Sequence, residues 1–303
     1  MRSRRMKKTS GLFVILSVAF FTSPLYAKPK QAESKPASLV KFFSFGDWGS
    51  GTQDQKNVAS ESSKICKELG CDFGLLLGDN FYEFGVSGTQ DPLWKTRYQD
   101  IYTGLSMPFY VALGNHDWRG NAQAQVDFSQ KDARWKMPAF FYSIKYPEQS
   151  PMMEIFVLNS NKFDLEQQTW LKKALNESKA KWKMLAFHHP ILNTGNKHPP
   201  DQMHLWPALK PIICGKIDLI LSGHEHIFAH LRPQSSECKY DQIIVGTGGK
   251  ELYGVTTPHP DTLKLAADAS FGSAWFEVSP QKISLKFFRV NGENSYAYTW
   301  EKK

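Results

Sequence analysis

Short apolar runs recur along the chain between stretches of helical periodicity, and this alternation predicts an α/β domain. Two further observations agree. A chain of 303 residues, 41% hydrophobic and 22% charged, has the composition of a globular protein able to bury a sizeable core. No internal repeat or low-complexity tract breaks it up, so one domain accounts for the bulk of the sequence.

Residues 1–27 stand apart from that domain. Arg2, Arg4, Arg5, Lys7 and Lys8 precede a ten-residue apolar run, Leu12 to Phe21, and a candidate cleavage point after Leu25-Tyr26-Ala27, the order of a secretory signal peptide. Ten apolar residues fall far short of the roughly 20 that span a bilayer, so no stable membrane insertion is expected. Without this segment the 37 basic side chains become 32 against 29 acidic ones, and the net charge falls from +8 to +3. The basic balance therefore reflects targeting, and with no basic run to track a phosphate backbone, no nucleic-acid partner is expected. A secreted or periplasmic location would permit disulfides. Cys66, Cys71, Cys214 and Cys238 allow three pairings. Two local bridges, Cys66 to Cys71 and Cys214 to Cys238, are favoured over a zinc site, because no CxxC pair is present and the histidines cluster elsewhere; the sequence leaves the connectivity open.

Residues 28–38 (KPKQAESKPAS) carry two prolines and little to bury, and read as a flexible leader, so the folded domain is expected over 39–303. Within it, LVKFFSF, FGLLL, FYVAL, EIFVL, KMLAF and IDLIL are nearly continuous in apolar or β-prone residues, the pattern of strands covered on both faces. Between the first two, Val58, Ser62, Ile65 and Leu69 fall at helical spacing, and Thr52 with Gln55 offers a capping box. Asp164 to Leu175 (DLEQQTWLKKAL) repeats the helical signal, and Gln202 to Ile213 reads as a further helix interrupted by Pro207. From Ile243 to Trp300 strands and turns are expected, GTGG and NGEN among the turns.

The polar clusters share one placement, at the carboxyl ends of apolar runs: GDWG after the first, GDNFY after the second, GNHD after the third, then FHHP and GHEH. In α/β sheets the crevice beyond those ends is where ligands bind. A single such cluster is weak, since a Gly-Asp pair is commonly a turn and a lone histidine is commonly structural. The ordered set of two aspartates, a tyrosine, an asparagine and three histidines supplies enough nitrogen and oxygen donors for two metal ions.

In this order the clusters resemble the five blocks of the binuclear metallophosphoesterases, and the tyrosine three residues after Asp79 points to the purple acid phosphatases. GVSGTQD, YVALGNHDW, RWKMPAFFY and WLKKAL are similar to their tartrate-resistant acid phosphatase-like branch. The resemblance covers Phe42 to Gly249. It implies a four-layer α/β sandwich, two mixed β-sheets flanked by helices. It implies an acid phosphatase that cleaves phosphate monoesters, of small molecules or phosphoproteins, with metal-bound hydroxide as nucleophile. Asp47, Asp79, Tyr82 and His226 would hold Fe(III); Asp79 would bridge to a divalent ion (Fe, Zn or Mn) held also by Asn115, His188 and His224. Charge supports that division, because carboxylates and a phenolate suit a trivalent ion and neutral donors a divalent one. Five positive charges would face three protein anions, leaving a net positive site for a phosphate oxyanion. His116 and His198 match the positions that protonate the leaving alkoxide.

Other residues carry plainer expectations. His189 stands where the related branch commonly has tyrosine, and reads as pocket lining or packing. His204, His230 and His259 read as surface or hydrogen-bonded structural residues, Trp48, Phe81 and Trp118 as packing around the site, and Gly246 to Gly249 as a turn. Only Asn159 to Phe163 separates EIFVL from the following helix, where the animal enzymes carry a longer loop that restrains activity until proteolysis; no such activation is expected here. Two alternatives remain, a phosphodiesterase or nucleotide pyrophosphatase with two divalent metals, and a silent phosphate- or partner-binding relative. Tyr82 argues against the first and the complete donor set against the second. The oligomeric state is not legible.

Overall fold

The computed structural model describes residues 39–198 and 205–302. The expected signal peptide and leader, His204 and the start of the expected 202–213 helix lie outside these residues. Among these described residues, fourteen strands form two mixed sheets. The first holds β1 (Val40–Phe45), β2 (Phe73–Leu77), β3 (Phe109–Ala112), β4 (Trp135–Lys136), β12 (Gly272–Val278), β13 (Lys282–Arg289) and β14 (Asn294–Glu301), in the order β14-β13-β12-β1-β2-β3-β4. The second holds β5 (Tyr142–Tyr146), β6 (Met153–Val157), β7 (Trp182–Ala186), β8 (Leu219–Ser222), β9 (Phe228–Pro233), β10 (Asp241–Val245) and β11 (Thr262–Asp268), in the order β11-β9-β10-β8-β7-β6-β5. Strands β1 to β4 are parallel to one another, as are β6, β7, β8 and β10, and antiparallel strands complete each sheet.

Burial explains the apolar runs. In β6 to β8, Ile155, Val157, Met184, Ala186, Leu219 and Leu221 join the main core shared with the first sheet. Their neighbours Phe156, Leu185 and Ile220 point the other way, onto Leu171 and Leu175 of helix α3 (Leu165–Glu177) and Leu209, Ile212 and Ile213 of helix α4 (Trp206–Ile213). A strand covered on both faces needs apolar residues at every position, so alternation disappears. Aromatic rings fill the first sheet's side: Phe42 stacks on Phe73 and Phe276, and Trp48 meets Tyr102 edge-on at 5.3 Å.

Helix α1 (Gln53–Leu69) starts where expected. Thr52 caps it, its hydroxyl accepting from Gln55 N at 3.3 Å, but the reciprocal bond is displaced by one residue: Gln55 Oε1 accepts from Gly51 N. Asp164 caps α3 in the same manner, accepting from Gln167 N. Pro207 does not interrupt α4. It sits in the first turn, where no intrahelical N–H partner is required of it. A π-helical turn (Trp94–Gln99) and helix α2 (Ala122–Phe128) follow β2 and β3 and were not signalled by periodicity. The disulfides are the two local ones, Cys66–Cys71 and Cys214–Cys238. No helix among the described residues is long and apolar enough to cross a membrane.

Candidate metal centre

Register brings the strand ends level. Phe45 pairs with Leu76, Leu77 with Ala112, Ala186 with Leu221 and Ile244 with Ser222. The clusters that follow therefore leave the sheets side by side, and the two sheets meet there: Gly46 N donates to Val245 O at 2.7 Å. Asp47, Asp79 and His224 adopt φ of 59°, 51° and 69°, the positive values found outside glycine among the described residues. Strain of this kind concentrates where the surrounding structure must aim a side chain. Two glycines clear space for the carboxylates: a Cβ at Gly114 would lie 2.1 Å from Asp79 Oδ1, and one at Gly223 2.5 Å from Asp47 Oδ2.

All seven expected donors come together. The Tyr82 hydroxyl lies 3.1 Å from Asp47 Oδ1 and 3.3 Å from His226 Nε2, and His226 Nε2 lies 3.2 Å from Asp47 Oδ1. Beside that triangle, His188 Nε2 lies 3.2 Å from Asn115 Oδ1, 3.2 Å from His224 Nδ1 and 3.5 Å from Asp79 Oδ2. Donors held about 2.0–2.2 Å from one ion stand roughly 3–3.5 Å apart, so both sets fit a cation. Asp47, Asp79 and His188 also form one buried group, which places the two sets against each other. The unused ring nitrogens are anchored, His188 Nδ1–H donating to Leu77 O at 2.8 Å and His226 Nδ1–H to Glu251 O at 2.5 Å. Such anchoring fixes which nitrogen faces a metal.

The electrostatics fit a centre built for cations. Burial raises the Tyr82 phenol well above its usual range, and the Asp47 and Asp79 carboxylates raise it further. Only a strongly charged ion would make that phenol a phenolate. Burial alone would raise Asp79, but the His188 ring, with a smaller contribution from His116, holds it far below the usual carboxylate range. His188 in turn is pushed up to about 9: burial lowers it, and Asp79 and Asp47 outweigh burial. His224 is driven strongly down by burial and by the surrounding His188, His189, His198 and His226, which keeps it neutral and a lone-pair donor.

His116 and His198 flank the donors. His116 Nδ1–H donates to Glu83 O at 2.7 Å while its Nε2 lies 4.0 Å from Asp79 Oδ2. The His198 ring stacks on His224 at 4.0 Å, and its Nδ1–H donates to Glu225 Oε1 at 2.8 Å. His189 is buried against these rings, its Nδ1 2.8 Å from Ser160 Oγ, and shares a possible metal-holding group with His188 and His224. It packs directly on the His188 and His224 rings, at centroid distances of 5.0 and 4.5 Å. His230 is buried and hydrogen-bonded, and His259 is exposed beside Asp261. Trp48 and Phe81 are fully buried behind the site, whereas Trp118 stands half-exposed at its rim with Nε1 donating to Asn159 Oδ1.

Three contributors escaped sequence reasoning. Asp117, fully buried, accepts from Asn80 N, Phe81 N, Gly114 N and Gln125 Nε2, tying the GDN and GNH loops together. Asn80 Nδ2 donates to it as well, and nothing in the spacing of GNHD shows these donors converging. Glu225 aims His198. Gly246 to Gly249 are more than a turn: Gly248 N donates to Gly46 O, and Lys250 N to Asp47 O at 2.9 Å, so the segment braces the first aspartate.

Known proteins share this sequence pattern and fold. The calcineurin-like phosphoesterase family profile matches residues 40–228. Purple acid phosphatase 3 of Arabidopsis thaliana is 31% identical over 89% of this chain and 79% of its own length. Tartrate-resistant acid phosphatase type 5 of Sus scrofa is 26% identical over 95% of this chain and 94% of its own. Among solved structures, Plasmodium GAP50, described as the anchor in the inner membrane complex, superimposes with a TM-score of 0.75 at 25% identity, covering 88% of this chain and 90% of its own. With the family profile over most of the domain and a purple acid phosphatase 31% identical over 89% of the chain, this chain belongs to the calcineurin-like phosphoesterases and, within them, to the purple acid phosphatases.

Proposed function

We propose that this acid phosphatase hydrolyses phosphate monoesters, of small molecules or phosphoproteins, with one ferric and one divalent ion (iron, zinc or manganese). The observation that carries this reading is the asymmetry of the donors: a carboxylate, a phenol and an imidazole within 3.3 Å of one another on one side, an amide and two imidazoles on the other. Asp47, Tyr82 and His226 would hold the ferric ion, Asn115, His188 and His224 the divalent one, and Asp79 would serve both. When bound, the two ions would supply Lewis-acid polarisation of the ester and would lower the pKa of a water so that, deprotonated, it serves as the nucleophile. The protein's own part is orientation and proton delivery. With Nδ1 tied to Glu83 O and Glu225 Oε1, His116 and His198 keep Nε2 to pass a proton to the departing alkoxide.

Residues 1–27 act in this reading as a removed signal peptide, 28–38 as a leader and 39–303 as the catalytic domain. The two disulfides support a secreted or periplasmic location, since such bridges persist in oxidising compartments.

Rates on matched aryl monophosphate and diaryl phosphate test the substrate class, with an alkyl monophosphate as a third arm. Monoester preference is expected, and His116→Ala or His198→Ala should slow the alkyl ester by about 10²–10⁴-fold and the aryl ester far less, because a good leaving group needs little protonation. Preference for the diester would point to the phosphodiesterase alternative.

A further inference from the structure

We infer that Lys250 is a positioning residue for the first metal site: its ammonium, held over the Tyr82 ring by Glu83 and Glu251, stabilises the phenolate bonded to iron and sets the energy of its charge transfer to the metal. The inference rests on the ferric–phenolate reading above. Lys250 and Glu251 together touch three of the four donors of that site. Lys250 N donates to Asp47 O at 2.9 Å, Glu251 O accepts from His226 Nδ1 at 2.5 Å, and Lys250 Nζ lies 5.0 Å from the Tyr82 ring centroid. The ammonium is ion-paired with Glu83 and with Glu251 Oε2 at 3.2 Å, and its side chain is 19% exposed against 49% and 66% for its two partners.

The surroundings make this cation matter. The other ionisable groups around Tyr82 are the Asp47 and Asp79 carboxylates, His226, a ligand itself, and His116, whose ring centroid lies 4.4 Å from that of Tyr82. A phenolate there would face the negative charge of Asp47 and Asp79, and without the Lys250 ammonium the Glu83 and Glu251 carboxylates would add to it uncompensated. A cation near an aromatic face is attracted to its electron density, and more so when the ring carries an anion. Moving an electron from phenolate to iron depletes that density, so the transition costs more energy with the ammonium present.

Visible spectra of the iron-loaded wild type, Lys250→Met and Lys250→Arg, read per iron bound, test the inference. Lys250→Met should move the charge-transfer band to longer wavelength by on the order of 10–30 nm. It should also lower the ferric–ferrous potential, since an unshielded phenolate donates more strongly. Lys250→Arg, which keeps the charge, should leave both near wild type. Reading per iron keeps a partially loaded variant informative, and the arginine variant separates charge from loss of packing. A band that stays in place, or moves to shorter wavelength, in Lys250→Met overturns the role of Lys250 while leaving the ferric reading intact. An iron-loaded wild type with no visible band overturns the ferric–phenolate reading, and the inference with it.

Discussion

Asp117 shows how much a single buried carboxylate organises. Its oxygens take N–H groups from the loop that carries Asp79 and from the loop that carries Asn115, so two donors assigned to different strands keep one separation. Burial raises its pKa to about 7, with the nearby Asp79 carboxylate adding to the rise and the N–H donors opposing it. Asp117→Asn keeps the shape but turns an amide NH₂ toward N–H donors. Loss of those bonds should cost about 2–4 kcal/mol in urea unfolding and weaken retention of metal against a chelator; unchanged stability and metal retention would contradict this role. At the same scale, the donors were legible because motif spacing fixes them locally, as with Asp79 and Tyr82 three residues apart. Asp117, Glu225 and Lys250 were not, because their partners arrive from loops remote in sequence.

At the scale of elements, strands buried on both faces announced themselves, and so did helices with a capping side chain. Strands β9, β4 and β5 did not, being short or mixed in polarity. The most informative element is β14, an edge strand whose alternate residues reach the other sheet. Tyr296 OH meets His230 Nδ1 at 2.9 Å, Tyr298 OH accepts from Arg232 at 3.0 Å, and Trp300 Nε1–H donates to Asp241 Oδ2 at 2.7 Å. Arg232 also binds Asp241 through two nitrogens. Burial would raise the Asp241 carboxyl, but Arg232, His230 and Trp300 outweigh it and bring it to about 2 from an ordinary 3.8. A depressed carboxyl adds stability that is present above its unfolded value and lost as pH falls through the folded one. Asp241→Asn should therefore cost about 2–3 kcal/mol near neutrality, and its deficit should shrink between about pH 4 and 2, as seen in denaturant midpoints. A deficit constant over that range would place the effect elsewhere than in this charge.

For the whole molecule, two sheets that pack face to face deliver their strand ends to one crevice, and the family's chemistry follows from that alignment. Access to the crevice depends on what covers it. Asn159 accepts from Trp118 Nε1, and Asn161 Nδ2 donates to Leu113 O, so the short segment between β6 and α3 is fastened beside His116 and not extended across the site. Mild proteolysis of the mature enzyme should leave its activity within about twofold, whereas a rise of tenfold or more would reveal a restraining segment. A ferric ion held by the Tyr82 phenolate is tested most directly by metal analysis and visible spectra of the wild type and Tyr82→Phe. The wild type should contain iron and show a visible charge-transfer band, and Tyr82→Phe should lose that band. A colourless, iron-free wild type that retains full phosphatase activity would contradict this assignment.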